Sequence, residues 1–222
     1  MKNKTGANIL ILLGVLLILA SAALTVRNLR ESSRAGEASH EVAEELMARI
    51  ADGARRPAPT PLPPPSDGEA EPPEMPVMLV DENGYVGVLE IPALGLTLPV
   101  AAEWDYRQLN TSPCRYSGTA AGKDLILCAH NYYTHFGQLL NVDMETEVYF
   151  TAVDGTVYRY LVANREILEP TAVEKMMENE RGGWALTLFT CTIGGASRCA
   201  VRCVEYERTQ APLPTDAVLA RQ

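Results

Sequence analysis

The sequence predicts an all-β domain, a barrel or a sandwich, over residues 77–210, behind an apolar N-terminal segment and a proline-rich stalk. Three observations lead there. Short apolar or alternating runs recur through this region, each bounded by turn-forming residues. Two of them flank Asp154-Gly155, a strong hairpin signal. Helical periodicity is scarce over the same stretch.

The elements follow in chain order. Residues 8–26, NILILLGVLLILASAALTV, carry no charge. A helix of that length spans about 28 Å, close to the thickness of a bilayer core. It shows no polar stripe, so it reads as a spanning or signal segment, and its apolar run is longer than a usual signal core, which favours an uncleaved membrane anchor, residues 1–26. Ala20-Ser21-Ala22 offers a small-residue cleavage site as the alternative. Charge leaves the orientation open, because Lys2 and Lys4 precede the run and Arg27, Arg30 and Arg34 follow it. Residues 27–76 read as a stalk. Its first part, 36–50, holds a short helical pattern at Val42, Leu46, Met47 and Ile50, read as a solvated spacer helix. Nine of the twenty residues in 57–76 are proline, which predicts an extended, semi-rigid spacer. About fifty stalk residues are expected to give the domain reach away from the membrane.

The domain itself, 77–210, is long enough for one real core. Strands are expected at 85–91 (YVGVLEI), 96–100 (LTLPV) and 124–129 (DLILCA), the last nearly all apolar and so central. Four more follow at 147–151, 157–163, 184–190 and 198–206. Short helical turns are expected at 105–110 and 171–179, and residues 77–83 are candidates to lie over a groove. Residues 211–222 form a tail.

Charge bounds the partners. The net charge is −9, and residues 77–210 carry seventeen acidic against ten basic side chains. No basic stripe is visible, which argues against nucleic-acid binding. The five cysteines are too few for a disulfide scaffold, and no pair has zinc-site spacing. Cys199 and Cys203 lie about 13 Å apart along one strand, too far to pair. Cys114, Cys128, Cys199 and Cys203 read as packing residues, with pairing of Cys114 to another left open.

Cys191 differs in placement. It follows an apolar strand and precedes a glycine turn, where a side chain is exposed and positionable. His130 ends another strand, and Arg198 follows Cys191 across the turn. A thiol needs a base or a cation to act as a nucleophile near neutral pH. Cysteine, histidine and arginine at three strand ends form a usable acyl-transfer set, although spacing alone does not select it over three unrelated polar residues.

The motifs carry more. Leu125-Ile126-Leu127-Cys128-Ala129-His130-Asn131 resembles the histidine strand of sortases, the transpeptidases of Gram-positive cell surfaces. Thr187-Leu188-Phe189-Thr190-Cys191 resembles their T-L-x-T-C motif, and Ser197-Arg198 their arginine position. Residues 85–92, YVGVLEIP, resemble their opening strand. The likeness covers about 130 residues in order. The Cys128-Ala129 pair departs from it, since relatives often carry small residues there.

This resemblance implies an eight-stranded β-barrel with a groove at its strand ends. It implies a membrane-anchored cysteine transpeptidase acting on surface proteins that bear a C-terminal LPxTG-like sorting signal. Cys191 is then the nucleophile, His130 the acid and base, and Arg198 the oxyanion or backbone donor; Thr190 is a substrate-binding candidate. His135 is the rival for the histidine role and Arg202 the rival for the arginine role. The acceptor is an amine, on a lipid-linked cell-wall precursor or a pilin lysine. No metal or other cofactor is implied. The catalytic domain is expected outside the cell, on a single-pass anchor. A cysteine hydrolase using water and a non-catalytic binding module on the same barrel are the alternatives.

Overall fold

The computed structural model describes residues 4–55, 74–178 and 183–209. Most of the proline-rich stretch, residue 179 of the second expected helix and the tail at 211–222 lie outside the described residues. A single helix, α1, runs unbroken from Lys4–Arg55. After it come the strands β1 (Met78–Val80), β2 (Asn83–Ile91) and β3 (Leu96–Ala101). A one-turn helix α2 (Tyr106–Leu109) leads to β4 (Cys114–Ser117) and β5 (Leu125–Cys128). The hairpin β6 (Glu147–Ala152) and β7 (Val157–Leu168) precedes the short helix α3 (Val173–Met177), and β8 (Leu186–Cys191) and β9 (Arg198–Thr209) complete the sheet.

Eight of these strands close a barrel in the order β2-β3-β4-β5-β8-β9-β7-β6, with β6 pairing back to β2. Closure removes the unpaired edges that an open sheet would expose. β1 adds a short hairpin at the start of β2, with Val80 opposite Asn83. None of residues 77–83, expected as candidates to lie over a groove, lines the cleft that holds His130 and Cys191.

Local chemistry explains the elements. The β6–β7 turn forms at Asp154-Gly155: Gly155 takes φ 86, and the Asp154 carboxylate accepts the Thr156 N–H at 2.8 Å. Asp105 caps α2, accepting the Arg107 N–H at 3.0 Å. β7 runs past the expected end at 163 because Asn164, Arg165 and Glu166 pair with β9 along the backbone. Their polar side chains hide that strand from a hydrophobicity reading. β4 is four residues between Pro113 and Gly118, too short and too mixed to show a period.

The barrel interior is apolar and fully buried, with Leu89, Leu127, Phe136, Phe150, Tyr160 and Leu188 among its largest members. A second cluster lies outside the barrel. There Ala43 and Leu46 of α1 pack on Val80, Tyr85, Val88 and Ala101. The expectation of a solvated spacer at 36–50 is corrected by this contact. Ser32, Ala35, Ser39, Ala43, Leu46 and Ile50 form one buried stripe at helical spacing. Four of those six are serine or alanine, which carry little hydrophobic signal. Burial of Leu46 and Ile50 contributes about 1.5–3 kcal/mol each. The proline-rich stretch consequently joins the far end of α1 to β1, and the barrel rests on the helix itself.

Candidate active site

β5 and β8 lie side by side and parallel, with Cys128 opposite Phe189. Their ends are held in step by three hydrogen bonds. Ala129 N–H donates to the Phe189 carbonyl at 3.3 Å, and the Thr190 hydroxyl to the Ala129 carbonyl at 2.8 Å. Asn131 Nδ2 donates to the Thr192 carbonyl at 3.3 Å. His130 is thus carried next to Cys191. β8 then turns into β9 through Gly194 and Gly195, both at positive φ (80 and 76), and the turn brings Arg198 directly opposite Cys191. Two glycines are what this geometry requires, since other residues resist that region.

Cys191, His130 and Arg198 all line one cleft of about 220 Å³, walled by Trp104, Tyr116 and Phe189. Tyr116 meets Phe189 edge to face, ring centroids 5.3 Å apart. Of the five cysteines, all free, Cys191 is the one that is not buried. Cys114 and Cys128 are register partners across β4 and β5. Burial pushes the Cys114 thiol up to about 11 and the Cys203 thiol up to about 12, and raises Cys128 and Cys199 as well. Those four are poor nucleophiles.

His130 is half-buried, and desolvation holds its imidazole below the ordinary histidine value. It is therefore neutral near pH 7 and able to accept a proton. Arg198 Nη1 donates to the carbonyls of Gly195 at 3.1 Å and Ser197 at 3.2 Å. These bonds fix the guanidinium at the rim of the cleft, and they are the only hydrogen bonds its side chain makes among the described residues.

The two rivals are placed elsewhere. Arg202 is 2% exposed. Its guanidinium donates to Glu166 Oε1 at 2.9 Å, to Thr187 Oγ1 at 3.0 Å and to the carbonyls of Lys175 and Met176. It ties α3 to the barrel and has no access to the cleft. His135 is fully buried beneath α1, with Nε2 at 3.1 Å from Ser39 Oγ. Ser39 gives its own hydrogen to the Thr111 carbonyl, so Nε2–H is the donor and Nδ1 is left without a partner. Thr190, singled out as a substrate-binding candidate, is 1% exposed, with its hydroxyl on Ala129. Sequence reasoning missed the aromatic wall. Trp104 and Tyr116 sit in a connection and in the one barrel strand that had no legible pattern. A larger cleft of about 600 Å³ lies between α1 and the start of β3, but no thiol lines it.

The Sortase domain family profile matches residues 89–206, more than half the chain and inclusive of all three cleft residues. No curated protein matches the chain. Among solved structures it is similar to sortase C of Streptococcus pneumoniae, with 22% identity, 74% of this chain and 88% of that one covered, and a TM-score of 0.51. It is similar to sortase E1 of Streptomyces coelicolor, solved with a tripeptide in the active site, at 17% identity, 56% and 89% coverage and a TM-score of 0.50. Sortase D5 of Clostridium perfringens aligns at 16% identity, 55% and 79% coverage and a TM-score of 0.48. The family profile, spanning the closed barrel together with its histidine strand and its cysteine strand, leads to one conclusion: the chain belongs to the sortase family.

Proposed function

We propose that the protein is a membrane-anchored cysteine transpeptidase that cleaves an LPxTG-like sorting signal and passes the acyl group to an amine. The observation that carries this reading is the meeting, in one cleft, of the single unburied thiol with Arg198 and His130. The Cys191 thiol gives its proton to neutral His130, and sulfur adds to the carbonyl carbon before the scissile bond. Arg198 donates to the oxygen as it becomes negative; a planar five-donor fork suits that task. Collapse breaks the C–N bond, and His130 returns the proton to the leaving amine. The resulting thioester is attacked by the acceptor amine, whose proton His130 takes and returns to the Cys191 sulfur as it leaves. The acceptor is a lipid-linked cell-wall precursor or a pilin lysine. Thr190 and Asn131 serve as positioning residues that hold the His130 strand end against β8.

The N-terminal part of α1 is long and apolar enough to cross a membrane, which supports a single-pass anchor; the transpeptidase reading in turn requires the barrel on the outer face. Tethering replaces a bimolecular search with a local one. The test is intact-protein mass after incubation with LPxTG-like peptides, with and without a small amine. A mass gain on Cys191 that amine discharges as a conjugate is expected. Discharge by water alone, with no conjugate, would favour a hydrolase. An unlabelled Cys191 that also resists a thiol alkylator would favour a binding module.

A further inference from the structure

α1 enters the barrel at one particular end. Near Ser32 and Gly36 it touches the loop that follows His130: Thr134 Oγ1 donates to the Ser32 carbonyl at 2.7 Å, and a Cβ on Gly36 would sit 2.7 Å from Thr134 Cγ2. One turn later Ser39 meets His135. Further on, Arg49 Nη1 donates to the Leu79 carbonyl at 2.7 Å, and Ile50 approaches Gly155 in the β6–β7 turn. The helix therefore descends the barrel wall from the end that carries the cleft to the opposite end. Its apolar segment continues upward, beyond the cleft-bearing end, in the same unbroken helix.

The distance is short. From Val26, the last residue of the apolar run, to Ser32 is six residues, about 9 Å of helix. The cleft-bearing end also has an apolar rim. Ile193, in the turn beside Cys191, is 88% exposed, and Tyr133, in the histidine loop, is 72% exposed; Ile167 and Val173 are exposed nearby. Tyrosine with its polar tip suits the headgroup layer.

The geometry points to the cleft-bearing end of the barrel as a bilayer-facing surface, with Ile193 and Tyr133 at the lipid headgroups and the cleft opening toward the membrane. This inference rests on the anchor reading above. The bilayer is the occupant because the rim is continuous with the helix that crosses it. The consequence for substrate is a sorting signal presented close to its own membrane segment, at a height set by α1 and not by the proline-rich connection.

Energy transfer to the membrane tests it. The full-length chain carrying Cys191→Ala is labelled at Ile193→Cys or, at the opposite end, Asp154→Cys; the four remaining cysteines are buried. Each is reconstituted into vesicles with an acceptor dye on lipid headgroups. Stronger transfer from position 193 than from 154 is expected at every acceptor density. Equal or reversed transfer, in chains that float with the vesicles, would overturn this inference alone. Chains that fail to float would overturn the anchor reading and this one with it. A flexible Gly-Ser insert between Arg30 and Glu31 is expected to shrink the difference between the two positions. An undiminished difference would remove α1 as its cause.

Discussion

Arg198 and Arg202 lie on one face of β9, four residues apart, and do opposite things. Arg198 stands at the cleft rim with two carbonyl bonds, while Arg202 is sealed beneath α3. Arg198→Ala is expected to leave unfolding nearly unchanged and to cut thioester formation severely. Arg202→Ala is expected to cost about 3 kcal/mol or more, because buried carbonyls and Glu166 lose their donor. Urea unfolding and single-turnover acylation, measured on both variants, check the contrast. His135 supplies a pH dependence. Desolvation and the neighbouring His130 bring its value down to about 4, so in acid the unfolded chain takes up a proton first. Stability is full above about pH 6.5 and falls as pH drops toward 4, by up to ~3 kcal/mol from this group. His135→Gln is expected to flatten that slope in urea titrations at successive pH values. Likeness to a family put Arg198 ahead of Arg202, and the burial of Arg202 became visible only once α3 was placed.

At the scale of elements, the contact between α1 and the histidine loop is the least forgiving. Gly36→Leu must displace Thr134 or the helix, and a cost of about 1–3 kcal/mol is expected from the overpacking. Gly53 lies in the same helix with open space around it, so Gly53→Ala is expected to stabilise by roughly 0.5–1 kcal/mol through helix propensity alone. Hydrogen exchange at residues 131–136 should quicken in the first variant and not in the second. Most strands were legible because their signals are local: alternation, and turn residues at Asp154-Gly155 and Gly194-Gly195. β4 and the polar end of β7 were not, because backbone pairing with neighbouring strands, and not a hydrophobic period of their own, makes them strands.

For the whole molecule, the barrel and the second half of α1 share an apolar interface. A chain beginning at Met75 would expose Val80, Tyr85, Val88 and Ala101 where Ala43 and Leu46 now cover them. A chain beginning at Arg27 keeps that cover. The longer one is expected to unfold at a clearly higher temperature and to stay monomeric; equal melting temperatures would show that the interface adds nothing. Scanning calorimetry with light scattering on the two chains decides it.

By itself the sequence determined an apolar segment long enough to cross a membrane and a β-rich domain after it, and its motifs, through their likeness to a family, nominated the three residues of the candidate site. These are properties of contiguous runs, and hydrophobic period and motif spacing report contiguous runs directly. Tertiary structure alone decided which arginine is buried and where the helix rests. Those depend on contacts between residues far apart in the chain, made partly through serine, alanine and glycine, whose side chains say little until a partner surface comes within van der Waals distance.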